Sequence, residues 1–311
     1  MRLPEYFKYG DKKPVISFEI FPPKTEKGME NLEKVIEGLV VLCPDFITVT
    51  YGAMGSRRER TLEIASIIKD RFGVETACHL TCVGASRHDL DQMLERIYEA
   101  GIENIVAIRG DTPSGEEKFA QQADGYKYGY ELVRHIRQFE EKKLNRGYFG
   151  IAVGAYPEKH TEAPDIDTDI INLKRKIDSG GDIVITQLFF DNRYYFDFIE
   201  KAKSHGITTP IIPGLMPILS VNQIERITSM CSASIPSGLK ERLGECKDDD
   251  EKARAVGIAQ CIEQSKELLA RGVPGIHFYV LNKSDHMKEI IGALPVSLYK
   301  YSGNKFAANN P

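Results

Sequence analysis

The chain has 311 residues and a mass of 35.0 kDa, room for two ordinary domains or one large barrel and far more than a peptide-sized scaffold. Hydrophobic residues make up 42% and charged residues 28%, which supports a large buried core and excludes global disorder. Forty-one basic against 45 acidic residues give a net charge of -4, so the broad positive field that non-specific nucleic-acid binding needs is missing and nucleic acid is not an expected partner.

No run of about 18 apolar residues occurs, and the stretch from Met1 to Lys8 lacks the apolar segment of a secretory signal. The expected location is the cytoplasm, with no membrane partner. The six cysteines (Cys43, Cys78, Cys82, Cys231, Cys246 and Cys261) contain no C-x-x-C pair and read as reduced, mostly buried thiols, with no metal site expected.

Short β-branched and aromatic runs alternate with stretches of helical period. In chain order they predict a strand over 15–20, a helix over 28–42, a strand over 45–51, a helix over 61–72 and a strand over 74–81. The next helix opens at Ser86, where Ser86 and Asp89 form a capping pair; Leu90, Met93, Leu94 and Ile97 follow at helical spacing and Gly101 stops it. A strand over 104–109 leads into a polar loop without hydrophobic period over 112–127, then a helix over 128–144 and a strand over 148–155. Helix 168–179, strand 182–189, helix 192–205, strand 210–215, helix 220–230, a long helix over about 249–271 and strand 275–281 complete the series. In the long helix Asp248, Asp249 and Asp250 suit the positive N-terminal end, and Arg271-Gly272 the C-terminal end.

Most of these strands are continuously apolar, as parallel strands covered on both faces are. Eight of them alternating with helices predict a (β/α)8 TIM barrel, an α/β fold, over 1–311 as a single domain, since no linker-like stretch divides the chain. A doubly wound dinucleotide-binding sheet would carry G-x-G-x-x-G after its first strand; the chain contains no G-x-G and no Gly-Lys dipeptide for a P-loop.

In such a barrel the chemistry lies at the C-terminal strand ends. The first strand ends Ser17-Phe18-Glu19-Ile20-Phe21-Pro22-Pro23, placing one carboxylate in an apolar run, where burial is expected to raise its pKa and suit it to general acid work; a Glu paired with a cation across the mouth is the structural alternative. The second ends Thr48-Val49-Thr50-Tyr51-Gly52-Ala53, and the third carries His79-Leu80-Thr81-Cys82, where a lone His is more often structural than catalytic. The fourth ends Ile108-Arg109-Gly110-Asp111, two opposite charges around a glycine that admits close backbone approach, or a salt-bridged turn. After the fifth strand Asp169, Asn172 and Lys176 stand at i, i+3 and i+7 beside Arg175, next to an apolar stripe of Ile170, Leu173 and Ile177; the polar stripe could grip a phosphate-bearing ligand or be solvated. Gln187 ends the sixth strand with a donor and acceptors suited to a heterocycle edge, Pro213-Gly214 turn the seventh, and His277 and Tyr279 in the eighth read equally well as core.

Taken together, these strand ends closely resemble the 5,10-methylenetetrahydrofolate reductase family in its bacterial form. The resemblance runs in order through Ser17-Phe18-Glu19, Pro22-Pro23, 49–53, 79–82, 107–111, Tyr156-Pro157-Glu158, Thr186-Gln187, Pro213-Gly214 and 277–279, and spans roughly 15–291. It implies FAD as cofactor, with Thr50, Tyr51, Ala53, His79, Arg109, Gly110, Asp111, Tyr128, Tyr156, His160, Asp169, Asn172, Arg175 and Lys176 around the flavin and its ADP tail. It implies methylenetetrahydrofolate and NAD(P)H as alternating substrates, with Gln187, Gln223 and Lys283 on the folate side and Thr50 where nicotinamide and pterin stack in turn. Glu19 is implied as the acid at the folate N10, and Asp111 as the negative charge that tunes the flavin and holds the cationic intermediate. The family further implies ping-pong turnover, one-carbon flow toward methionine, homo-oligomeric assembly and, from the chain length, no regulatory domain. Three features depart from the pattern: Ile227 replaces an aromatic residue, Lys283 stands where Arg is common, and the segment Thr161-Glu162-Ala163 lacks a frequent Pro. Two other readings stand beside it: a metal-dependent barrel lyase or hydrolase using Glu19, His79, Asp111 and His277, and a scaffold that binds flavin without turning over alone.

Overall fold

The computed structural model describes residues 1–8, 13–51, 58–110, 124–231, 233–246 and 249–295. Strands β1 (Val15–Ile20), β2 (Phe46–Val49), β3 (Glu75–Thr81), β4 (Asn104–Ile108), β5 (Gly150–Ala155), β6 (Ile183–Leu188), β7 (Ile211–Leu215) and β8 (Gly275–Tyr279) pair in parallel in that order, and β8 closes on β1. The fold is the predicted (β/α)8 barrel. Helices α1 (Glu26–Val40), α2 (Arg58–Phe72), α3 (Arg87–Glu99), α4 (Gly129–Lys143), α5 (Ile166–Asp178) and α6 (Asn192–Ser204) each return the chain from one strand to the next. Three helices fill the crossover from β7 to β8: α7 (Val221–Cys231), α8 (Ser237–Gly244) and the 21-residue α9 (Asp250–Ala270). Helix α10 (Asp285–Gly292) follows β8.

Local chemistry sets the helix ends. The Ser86 hydroxyl accepts from the Asp89 N–H at 3.1 Å while the Asp89 carboxylate accepts from the Ser86 N–H at 2.9 Å, a reciprocal cap, and Gly101 takes φ 67° beyond the other end. Asp249 caps α9 by accepting from the Lys252 N–H at 3.0 Å. β1, β3, β5 and β7 end at the mouth where expected, while β2, β4, β6 and β8 stop one or two residues short: β8 stops at Tyr279, with Leu281 and Asn282 adopting left-handed φ values of 52° and 53°. Two short helices and a 3-10 turn (Leu3–Phe7) went unpredicted, being eight residues or fewer and below the window in which a helical period declares itself. The apolar stripe of α5 behaves as read: Ile170 and Leu173 are buried and Ile177 packs against the main core.

The large core lies between the barrel and its helices, from Phe18 and Ile36 through Phe139 and Phe198 to Phe278. A separate inner cluster of Val15, Phe46, Ala77, Val106, Ile183 and Ile212 fills the barrel floor and is stoppered by Leu3. The opposite end is tied across three strands: the Thr186 hydroxyl accepts from the Gly214 N–H at 2.9 Å, and the Tyr279 hydroxyl donates to the Thr186 carbonyl at 2.7 Å. A β-carbon at Gly214 would collide with that carbonyl and the Tyr279 ring, so the residue is glycine for close approach. Five of the cysteines are buried or partly buried and Cys43 is exposed; all six are free thiols.

Candidate active site

Glu19 stands near the mouth end of β1, beside Thr48 of β2 and Tyr279 of β8, with 18% of its side chain exposed. Period two along the strands turns Ser17 and Glu19 to the same side, and the barrel brings other interior polar groups to them. The Thr48 hydroxyl donates to Glu19 Oε2 at 3.2 Å. His277 Nε2 lies 3.4 Å from the same oxygen and its Nδ1 lies 2.8 Å from Ser17 Oγ, while His79 Nε2 lies 3.1 Å from it on an ionic contact without hydrogen-bond alignment. His79 and His277 are themselves buried, and His277 is wedged between the Phe46 and Tyr279 rings.

This corrects one expectation. Burial does push the Glu19 carboxyl up, but the nearby His79 and His277 imidazoles, His277 through a hydrogen bond, together outweigh it and hold the group well below the usual carboxylate range. Glu19 is therefore an ionised carboxylate gripped by two imidazoles. The Glu paired across the mouth has histidine partners rather than Lys or Arg.

A second cluster gathers where β4 and β5 meet α4 and α5. Both terminal nitrogens of Arg109 donate to the Glu162 carboxylate at 2.6 Å, a fork that raises the Arg109 pKa and lowers that of Glu162. The Glu162 N–H donates to His160 Nδ1 at 3.1 Å, and the His160 N–H donates to Asp169 at 2.9 Å, folding this loop over the first turn of α5. The Tyr156 ring meets His160 edge-on at 4.6 Å. Lys176 donates to the Gly154 carbonyl at 2.5 Å; burial pulls its pKa down to about 8, and Asp169 works against that shift. A β-carbon at Gly129 would lie 3.6 Å from the Arg109 backbone nitrogen and 3.8 Å from Lys176 Cδ, so the first turn of α4 abuts the end of β4 and the stem of Lys176. A guanidinium, a lysine with one carbonyl partner and a helix N-terminus in one place fit a diphosphate-bearing cofactor, FAD included.

The remaining expected residues spread around these two clusters. The predicted α5 stripe splits: Asp169 is buried and Lys176 half-buried, while Asn172 and Arg175 are exposed and bonded to each other at 3.2 Å. Tyr128 is 45% exposed at the head of α4, its ring stacked on Tyr130. Thr50 continues the β1 pairing through its N–H to Ile20 at 2.9 Å, and the ring of Tyr51 packs on the core. Gly110 takes φ 91°, a backbone that favours glycine, with the Thr81 and Val83 side chains beside it. Gln187 and Gln223 turn their carbonyl oxygens to the backbone N–H groups of Leu188 at 3.0 Å and Leu219 at 2.8 Å. Lys283 is exposed just past β8. Ala53 and Asp111 lie outside the described residues.

Reasoning from strand ends missed Thr48 and Ser17 as partners of the cluster, left His277 undecided, and passed over Glu162. The parity of Ser17 with Glu19 was visible in the sequence; the register that sets Ser17 against His277 appears only once the barrel closes. Among the described residues no group of His, Cys, Asp and Glu side chains is arranged to hold a metal ion, and no helix is long and apolar enough to cross a membrane.

The methylenetetrahydrofolate reductase family model matches residues 5–295. The chain is 37% identical over 281 residues to the 5,10-methylenetetrahydrofolate reductase of Escherichia coli (strain K12), covering 90% of both proteins. It is 40% identical over 294 residues to methylenetetrahydrofolate reductase (NADH) 1 of Zea mays, covering 92% of this chain and 48% of the plant protein, so it spans about half the length of the plant relatives it matches. Among solved structures, an uncharacterised protein from Clostridium thermocellum that binds two copies of 5-methyl-5,6,7,8-tetrahydrofolic acid shares the fold, with a TM-score of 0.59 and 18% identity over 91% of this chain and 94% of the other. The sequence match across nearly the whole barrel, including the strand ends that build both clusters, assigns the chain to the methylenetetrahydrofolate reductase family.

Proposed function

We propose that this protein is an FAD-dependent oxidoreductase that reduces 5,10-methylenetetrahydrofolate to 5-methyltetrahydrofolate with NAD(P)H as donor, by a ping-pong sequence. The observation that carries this reading is the Glu19 cluster: one carboxylate oxygen in reach of two imidazoles, at the mouth of a barrel whose family acts on a folate. Bound FAD supplies the hydride chemistry between the two substrates.

Opening the five-membered ring of the folate needs a proton at N10, and Glu19 Oε2 is the atom suited to deliver it. His79 and His277 hold Glu19 ionised, so the carboxylate would carry a proton only in passing, as the folate amine draws one through it. Ser17 and Thr48 fix the geometry, Ser17 by orienting the His277 ring and Thr48 by bonding the carboxylate itself. Arg109, His160, Asp169 and Lys176 would bind the cofactor's diphosphate and ADP portion, Arg109 exchanging Glu162 for phosphate oxygens. Gln187, Gln223 and Lys283 would orient the folate, and Asp111 would hold the positive charge that ring opening creates. The names of the plant relatives carry NADH, which favours NADH over NADPH. The same reading takes 1–311 as one catalytic unit, working in the cytoplasm as a homo-oligomer and feeding methyl groups to methionine synthesis.

The test is reconstitution with FAD followed by anaerobic mixing. Stoichiometric flavin, bleached by NADH and re-oxidised by methylenetetrahydrofolate with release of 5-methyltetrahydrofolate, is the expected result. A protein that takes up no FAD, or whose reduced flavin the folate leaves untouched, contradicts the proposal.

A further inference from the structure

The turn from β8 to α10 passes through two consecutive non-glycine residues in the left-handed region, Leu281 at φ 52° and Asn282 at φ 53°. Such backbone is sterically unfavourable for any residue with a β-carbon, least so for Asn, and it persists only where the surroundings over-determine it. Here the side chain of Asn282 does so. Its Oδ1 accepts from the Phe21 N–H at 3.0 Å and its Nδ2 donates to the Phe21 carbonyl at 2.7 Å. One side-chain amide thus grips both backbone groups of a residue 261 positions away, as a paired strand would. The last backbone bond of that seam runs from the Val280 N–H to Glu19 at 3.3 Å, so the amide extends the β1–β8 closure past the end of the ladder.

The clasp lies between groups of functional interest. Phe21 is two residues beyond Glu19 and 42% exposed; Lys283 follows Asn282 directly, is exposed, and is tied into the turn by its own N–H to the Val280 carbonyl at 3.0 Å. Glycine at 282 would make the same turn without strain at that position, leaving only that of Leu281. Asn retains the strain and in return fixes the exit of β1 against the exit of β8.

We propose that Asn282 is a positioning residue for the folate side of the mouth: its amide holds Phe21 and Lys283 in register across the β1–β8 seam above Glu19. This rests on the reading that Lys283 meets the folate. The test compares Asn282→Gly, which keeps the turn and removes the clasp, with Asn282→Asp, which keeps the acceptor for the Phe21 N–H and loses the donor. For Asn282→Gly the expected result is a melting temperature within about 3 °C of the wild type, relief of the strain at 282 offsetting most of the two lost bonds, and an unchanged rate of flavin reduction by NADH. The KM for methylenetetrahydrofolate should rise about tenfold, as losing two hydrogen bonds allows, with kcat within about twofold. Asn282→Asp should fall between. Hydrogen exchange on the free protein supplies a second readout: the Phe21 and Lys283 amides should exchange about tenfold faster in Asn282→Gly. An unchanged folate KM, or unchanged exchange at Phe21, overturns the clasp. A wild-type protein that never turns over folate defeats the proposed function instead, and the exchange measurement still decides the clasp.

Discussion

Replacing Glu19 by Gln tests whether two imidazoles hold that carboxylate charged. Removing one partner of a buried charge cluster costs about 3–5 kcal/mol. Glu19 keeps 18% of its side chain exposed, and Gln can still accept from the Thr48 hydroxyl 3.2 Å away, so a loss of about 2–3 kcal/mol is expected. For a chain of 311 residues that is a fall in melting temperature of roughly 3–5 °C. The pH dependence has a definite sign. A carboxyl whose folded pKa lies below its unfolded value of about 4.3 contributes stability that is fully present above that value and is lost as pH falls through the folded pKa. Melting of the cofactor-free protein, followed by far-ultraviolet circular dichroism at pH 6, 5 and 4, should therefore show the wild type ahead at pH 6 and 5 and the gap beginning to close at pH 4. A Glu19→Gln protein that melts at or above the wild type at pH 6 would mean that burial wins and the carboxyl is protonated, refuting the reasoning.

Other perturbations follow from the same contacts. Lys176, pulled by burial from its ordinary 10.5 down to about 8, carries a burial penalty of about 3 kcal/mol that is absent above pH 10.5 and complete below about 8. Lys176→Met should stabilise the cofactor-free protein by about 1–2 kcal/mol near neutral pH in denaturant titrations, after loss of the Gly154 bond, while weakening FAD binding; lower stability would argue against the penalty. Wild-type FAD affinity, read by flavin fluorescence, should decline as pH rises through about 8, and Lys176→Met should lose that dependence. Glu162 occupies the Arg109 fork with 59% of its side chain exposed, so Glu162→Gln should tighten FAD binding by up to about fivefold; weaker binding would show that the pair assists the cofactor. Gly214→Ala drives a β-carbon onto the Thr186 carbonyl and Tyr279 ring and should cost about 1–3 kcal/mol in urea titrations, an unchanged midpoint counting against the close approach.

The barrel was legible because its signals are local and repeated. Each of the eight runs carries its own β-branched residues, and caps such as Ser86 with Asp89 and Asp249 with Lys252 need only four residues of sequence. The strand exits were less legible: Leu281 and Asn282 leave the ladder through an amide bonded to Phe21, and no local pattern announces a partner so distant. The site was legible in its membership and not in its electrostatics. Glu19 stood out as a carboxylate among apolar neighbours, but the sign of its pKa shift depends on His79 and His277 arriving within 3.4 Å of one oxygen, a matter of register across the closed barrel. The α5 stripe shows the same limit, since helical period put Asp169, Asn172 and Lys176 on one face and only packing separated the inward pair from exposed Asn172.

On the proposed reaction the Glu19 cluster would serve the folate half alone. The measurement closest to it is anaerobic stopped-flow of FAD-loaded Glu19→Gln through each half-reaction. Flavin reduction by NADH should proceed within a fewfold of wild type, while re-oxidation by methylenetetrahydrofolate should slow by about 10²–10⁴, the span of general acid catalysis. Equal slowing of both halves, or a folate half that runs at the wild-type rate, would contradict it.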